Sequence, residues 1–85
     1  EGTFKNNQRD GNWVYYYPNG KKWSEGTFKE GKSHGKRTTY FESGKVRYIA
    51  FYNMEQRVGK WRFYSDKGIF LQEIDYGGIV DTVVK

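Results

Sequence analysis

The segment from Gly26 to Ser33, GTFKEGKS, satisfies the phosphate-loop pattern G-x₄-G-K-S. Such a loop works because backbone N–H groups cradle phosphates at a helix start, while the lysine reaches the outer phosphates. Here His34-Gly35 leads into another β-forming segment, and 85 residues are too few for that kind of nucleotide fold. The match is read as coincidence, with Lys32 binding no nucleotide.

Acid–base and metal chemistry have little to work with. His34 is the only histidine, and the chain has no cysteine. A histidine-based triad would rest on His34 alone, which reads as a solvated loop side chain. Glu25, Glu73 and Asp75 fall on β-forming stretches, where cross-strand ion pairing accounts for them. No ligand spacing suggests a metal, and no cofactor or small-molecule substrate is expected. The expectation is a protein that is not an enzyme.

Aromatic and basic residues offer binding chemistry instead. Trp13, Tyr15, Trp23, Trp61 and Phe63 are read as exposed aromatics, of the types that dominate interface hot spots. Lys5, Arg9, Lys29, Lys32, Lys36, Arg57 and Lys60 cluster in or beside polar segments, against Asp10, Glu30 and Glu55. These bases are expected along one long edge. They would suit anionic lipid headgroups or single-stranded nucleic acid, although ordinary solubilising charge on loop tips is the commoner explanation of such a pattern.

What positions these residues is a repeat. GNWVYYYPNGKKWSEGTF starts at Gly11, GKRTTYFESGKVRYIAFY at Gly35 and GKWRFYSDKGIFLQEIDY at Gly59, a 24-residue period. Tyr16, Tyr40 and Tyr64 form one column, Gly20, Gly44 and Gly68 another, and Phe28, Tyr52 and Tyr76 a third. A fixed period of this size is the mark of a repeat array. Each unit alternates β-forming runs with glycine turns and shows no helical stripe. The hairpins are predicted to turn at Asn19-Gly20, Ser43-Gly44 and Lys67-Gly68, the first as a two-residue type I′ turn. That register pairs Tyr16 with Trp23, Trp13 with Gly26 and Gly11 with Phe28. The column glycines are thereby given a packing role beneath cross-strand rings. Lys5 to Asp10 and Lys29 to His34 are read as polar loops.

The fold class is therefore all-β: a single-layer antiparallel meander of hairpins. Its expected parts are a repeat end at 1–10, units at 11–34, 35–58 and 59–76, and a capping strand within 77–85. Side-chain alternation puts Trp13, Tyr15, Phe28, Tyr48, Trp61, Phe63 and Phe70 on one face. Val14, Tyr16, Trp23, Tyr40 and Ile49 fall on the other. Aromatics make up 20% of the chain, enough to stabilise a thin sheet by stacking although the apolar fraction is only 35%. The formal charge of +5 mildly favours acidic partners. No membrane span or signal peptide is visible. The chain starts within a repeat, which suggests part of a longer array; a cytoplasmic location is the expectation.

These columns resemble the variant form of the MORN repeat, Gly-x-Trp-x-x-Tyr, then a Gly-Lys turn, then Gly-x-Tyr/Phe. Gly11, Trp13, Tyr16, Gly20, Lys21, Gly26 and Phe28 follow it. The second unit departs at Arg37 and Ala50, the third at Ile69 and Ile74. The resemblance implies hairpin arrays that act as binding platforms. Bacterial proteins built of the variant repeat are often labelled antitoxin components, and other MORN proteins are linked to membranes. The expected function is protein binding, with a toxin or effector as partner. Anionic lipid or nucleic acid on the basic edge is the alternative.

Overall fold

The computed structural model describes residues 1–78; the expected capping strand at 79–84 lies outside the described residues. Eight strands follow in order: β1 (Thr3–Lys5), β2 (Gln8–Tyr16), β3 (Lys22–Lys29), β4 (Lys32–Tyr40), β5 (Val46–Asn53), β6 (Gln56–Arg57), β7 (Lys60–Tyr64) and β8 (Phe70–Asp75). They form one antiparallel sheet in the order β1-β2-β3-β4-β5-β7-β8, with β6 paired to β5 beside β7. The shortest dimension is 17 Å, which leaves room for one sheet and its side chains. No helix occurs among the described residues, so Gly26 to Ser33 is strand, turn and strand, without a phosphate loop's helix. None of the described residues forms a helix long and apolar enough to cross a membrane.

The hairpins turn where expected, by a different geometry. Tyr17 N–H donates to the Lys21 carbonyl at 2.8 Å, and Gly20 N–H to the Tyr17 carbonyl at 2.9 Å. In this loop only Gly20 has positive φ, at 89°. This is a type I turn closed by a left-handed glycine, not a type I′ turn. Pro18 suits this turn, because its ring fixes φ at about −65°, as the second position of a type I turn requires. The feature shared by all three turns is the left-handed glycine, Gly20, Gly44 or Gly68. Phe41 to Lys45 and Ser65 to Ile69 make the same bonds.

The longer loop shifts the nearby register. Tyr16 pairs with Lys22, Tyr15 with Ser24, and Trp23 is the bulged residue between them. Trp23 therefore leaves the face of Val14 and Tyr16 and meets Tyr15 edge-on at 5.8 Å. Phe70 moves the opposite way, against Tyr64. Deeper in the hairpin Trp13 pairs with Gly26 and Gly11 with Phe28, as expected.

At the other end of the strands, the segments read as loops are mostly strand. Two-residue turns with positive φ at both positions connect them: Asn6-Asn7 (53° and 64°), Glu30-Gly31 (51° and 81°) and Met54-Glu55 (49° and 73°). The type I′ geometry is thus found here, next to the pairs Lys5↔Gln8, Lys29↔Lys32 and Asn53↔Gln56.

The column glycines also have a different explanation. Gly11, Gly35 and Gly59 have φ of 73°, 86° and 72°, a region that L side chains enter only with strain. A Cβ on Gly11 would meet only the Thr3 hydroxyl, at 3.6 Å. Conformation, not the facing ring, requires glycine at this position. Packing does explain Gly2, where a Cβ would collide with the Trp13 indole, and Gly26, where it would lie 2.9 Å from Arg37 Nε.

Burial is concentrated on one face. Trp13, Phe28, Ala50, Trp61, Ser24 and Thr39 are buried there without a second layer of described residues above them. Trp13 meets Phe4 and Phe28 edge-on at 5.0 and 6.3 Å. Trp61 meets Tyr52 and Tyr76 at 5.3 and 5.0 Å. Between these pairs the Arg37 guanidinium lies 5.2 Å from the Phe28 ring centre and 5.7 Å from that of Tyr52. A continuous ladder results, in which arginine occupies the tryptophan position of the second unit.

Candidate functional site

The aromatics expected to be exposed divide into two kinds. Trp13 and Trp61 are only 8% and 7% exposed, a correction to the sequence reading. Each sits inside the ladder, with its Nε1 spent on backbone: Trp13 on the Thr3 carbonyl, Trp61 on those of Phe51 and Val58. Trp23 stays 46% exposed. Tyr15 and Phe63 are half-buried, Tyr15 stacked on Trp13 at 6.2 Å and Phe63 tilted against Tyr48 at 5.6 Å.

The basic residues do not share one edge. Lys29 and Lys32 flank the turn at Glu30-Gly31 and are exposed. Lys36 and Lys60 pair with Phe51 and Asp75 and point to the face opposite the ladder, as alternation from Gly35 and Trp61 requires. Arg57 lies over Trp61 and Tyr76, at 5.9 and 5.7 Å, as Arg9 lies over Trp13 and Phe28 at 5.5 and 5.3 Å. His34 is buried, contrary to its reading as a solvated loop residue, and its Nδ1 accepts the Met54 N–H at 3.2 Å. His34 stands inside β4, between the paired residues Ser33 and Gly35.

The second unit interrupts the aromatic face. Where the first and third units have Trp13 with Tyr15, and Trp61 with Phe63, this unit has Arg37 with Thr39. Thr39 pairs with Ser24, so two small buried side chains lie side by side, hydroxyls 3.5 Å apart. A cleft of about 620 Å³ opens above them. Tyr15 and Trp23 wall one side, Tyr48 and Arg47 the other; Arg9, Phe28, Ser33, Arg37 and Glu55 stand around one end. Arg37 Nη2 donates to Ser33 Oγ at 3.1 Å, while its buried Nε has no hydrogen-bond partner. Among the described residues no carboxylate is within ion-pair distance of Arg9, Arg37 or Arg47.

Arg47 and Tyr48 did not stand out in the sequence as binding residues. The signal was present: two aromatic columns break in the same unit, and the bulge column reads Trp23, Arg47, Leu71. Only the bulges, invisible to simple alternation, bring Trp23 and Arg47 to the rim of one cleft.

The opposite face mixes apolar residues such as Ile49, Phe51 and Phe70 with polar groups that pair with one another. Tyr40 donates its hydroxyl to the Glu25 carboxylate, Lys22 approaches the same carboxylate at 3.4 Å, and Arg62 bonds Glu73 at 3.0 Å. Burial and the Glu25 bond push the Tyr40 hydroxyl up to about 12. The same bond is the largest influence on Glu25, holding its carboxyl below the usual range against an opposing effect of burial.

Comparison with protein families gives a match to the MORN repeat variant at residues 9–30 and 33–54. These two stretches hold the first hairpin and the second, and with them the whole floor of the cleft. No curated protein and no solved structure matches the chain.

Proposed function

The chain belongs to the MORN repeat variant family, and on that premise we propose that it is a non-enzymatic scaffold that binds a partner protein on its aromatic face. One observation carries this reading. Trp23, Tyr15 and Tyr48 surround a cleft on a face that no second layer of described residues covers. Aromatic and arginine side chains are the ones that dominate protein interfaces, and uncovered apolar patches mark contact surfaces. The groups suited to acid–base work hold strands together instead: His34 with Met54, Glu25 with Tyr40, Glu73 with Arg62. The resemblance to bacterial variant-repeat proteins supports an antitoxin or immunity-type role as the finer form, the bound protein then being a toxin or effector.

The test is co-purification with three baits: wild type, Trp23→Ser/Tyr48→Ser, and Lys36→Gln/Lys60→Gln on the opposite face. The expected result is one protein retained by wild type and by the lysine variant, lost with the aromatic variant, and held as salt rises. Retention that collapses with salt and follows the lysines, shared with anionic vesicles or single-stranded DNA, would overturn it in favour of an anionic-surface binder.

A further inference from the structure

We propose that the cleft over Ser24 and Thr39 recognises a carboxylate side chain of the partner, presented beside an apolar residue. This inference rests on the reading of the chain as a protein-binding scaffold and names the chemistry of what it binds.

The cleft exists because Arg37 and Thr39 replace the ring pair that fills the same place in the neighbouring units. Three guanidinium groups reach it, and each lies over the chain's own rings: Arg9 over Trp13 and Phe28, Arg37 over Phe28 and Tyr52, Arg47 over Phe41 at 5.4 Å. A guanidinium held over a ring by its charge still has N–H donors pointing away from that ring, and those match a carboxylate. Arg37 has its Nε buried over Gly26 and its Nη2 on Ser33, so it lends the cleft positive charge, while the exposed Arg9 and Arg47 keep donors free for an incoming carboxylate. Against these three positive charges the described residues bring one carboxylate to the cleft, Glu55, on the exposed turn at its end.

The walls decide which anion is favoured. Trp23, Tyr15 and Tyr48 supply apolar surface next to the arginines, as a glutamate or aspartate with an apolar neighbour would require. A phosphodiester strand needs positive charge that continues along its path. Here the path out of the cleft meets Glu55, and the nearby lysines Lys29 and Lys32 flank Glu30.

The experiment selects a random dodecapeptide phage library on the wild-type chain and then measures synthetic peptides in solution. Selected sequences are expected to share aspartate or glutamate beside an aromatic or aliphatic residue. Replacing that acid by its amide should weaken binding roughly tenfold, as should Arg47→Gln, an exposed change that leaves the ladder intact. Lys60→Gln on the opposite face should change nothing. Peptides without an acid, or amide twins that bind equally, would overturn the inference. If their binding were still lost with Trp23→Ser, the scaffold reading would survive. An empty selection, or tighter binding of oligothymidylate through the same arginines, would overturn both.

Discussion

The Arg37 guanidinium lies 5.2 Å from the centre of the Phe28 ring, the same ring that Trp13 meets edge-on at 6.3 Å. A cation thus takes a tryptophan's place in the ladder and keeps it continuous. The contact also makes Arg37 a structural residue as well as a candidate binding one. Arg37→Ala should lower stability by about 1–2 kcal/mol, since two contacts between cation and ring are lost. Arg37→Lys should fall between, because a lysine keeps the charge without the planar group. Urea midpoints that rank alanine equal to wild type would contradict the ladder.

The conformational account of the column glycines makes its own prediction. Gly35→Val should destabilise by about 1–2 kcal/mol, against the strand preference for valine, because φ is 86° there. Gly35→Asn should cost clearly less, since asparagine tolerates the left-handed region. At Gly26, where crowding by Arg37 is the reason, asparagine should bring no such relief. Equal loss for valine and asparagine at Gly35 would return the explanation to packing.

The Tyr40–Glu25 bond predicts a pH dependence on both sides. The folded Tyr40 hydroxyl titrates near a pH of about 12, above the ordinary value of 10.0. Its contribution is complete below the unfolded value and is lost as pH rises from there through the folded one. Glu25 is shifted down, so its contribution is present above the ordinary carboxylate range and is lost as pH falls through and below it. Tyr40→Phe should flatten both limbs of a stability profile relative to wild type. Parallel profiles would contradict the bond's role.

Contacts between turns should tie the first hairpin to the second more firmly than the second to the third. Tyr17 OH donates to the Tyr40 carbonyl at 2.7 Å, and Asn19 Nδ2 to that of Glu42 at 3.1 Å. The second hairpin has Phe41 in the position of Tyr17, with no hydroxyl to offer the third. Tyr17→Phe should therefore cost about 1 kcal/mol. Amide exchange should protect the first two turns above the one at Ser65 to Ile69. Uniform protection across the three turns would count against this.

The architecture was legible because the 24-residue period and the glycine turns are local signals. Trp13↔Gly26 and Gly11↔Phe28 follow from counting back from the turn, and they hold in the structure. What alternation missed follows from the three-residue loop closed by a left-handed glycine, which brings a bulge at Trp23. That single extra residue moves Trp23 to the other face, and its repeat at Arg47 builds the far rim of the cleft. The burial of Trp13 and Trp61 was hidden for another reason. It depends on ladder neighbours from adjacent units, which a single strand's pattern does not show. Arg37 was visible as a departure from the repeat, but its meaning needed Thr39 beside it and Phe28 against it.

Arg37→Trp restores the repeat pattern and tests the central claim most directly, that the second unit gives up ladder stability to hold a binding cleft. The new indole should lie over Gly26 as Trp13 lies over Gly2, and the unsatisfied Nε should disappear. The account predicts a stability higher by about 1 kcal/mol, read as a raised urea midpoint, together with loss of the acidic-peptide binding expected of wild type. A lower midpoint with binding unchanged would contradict it.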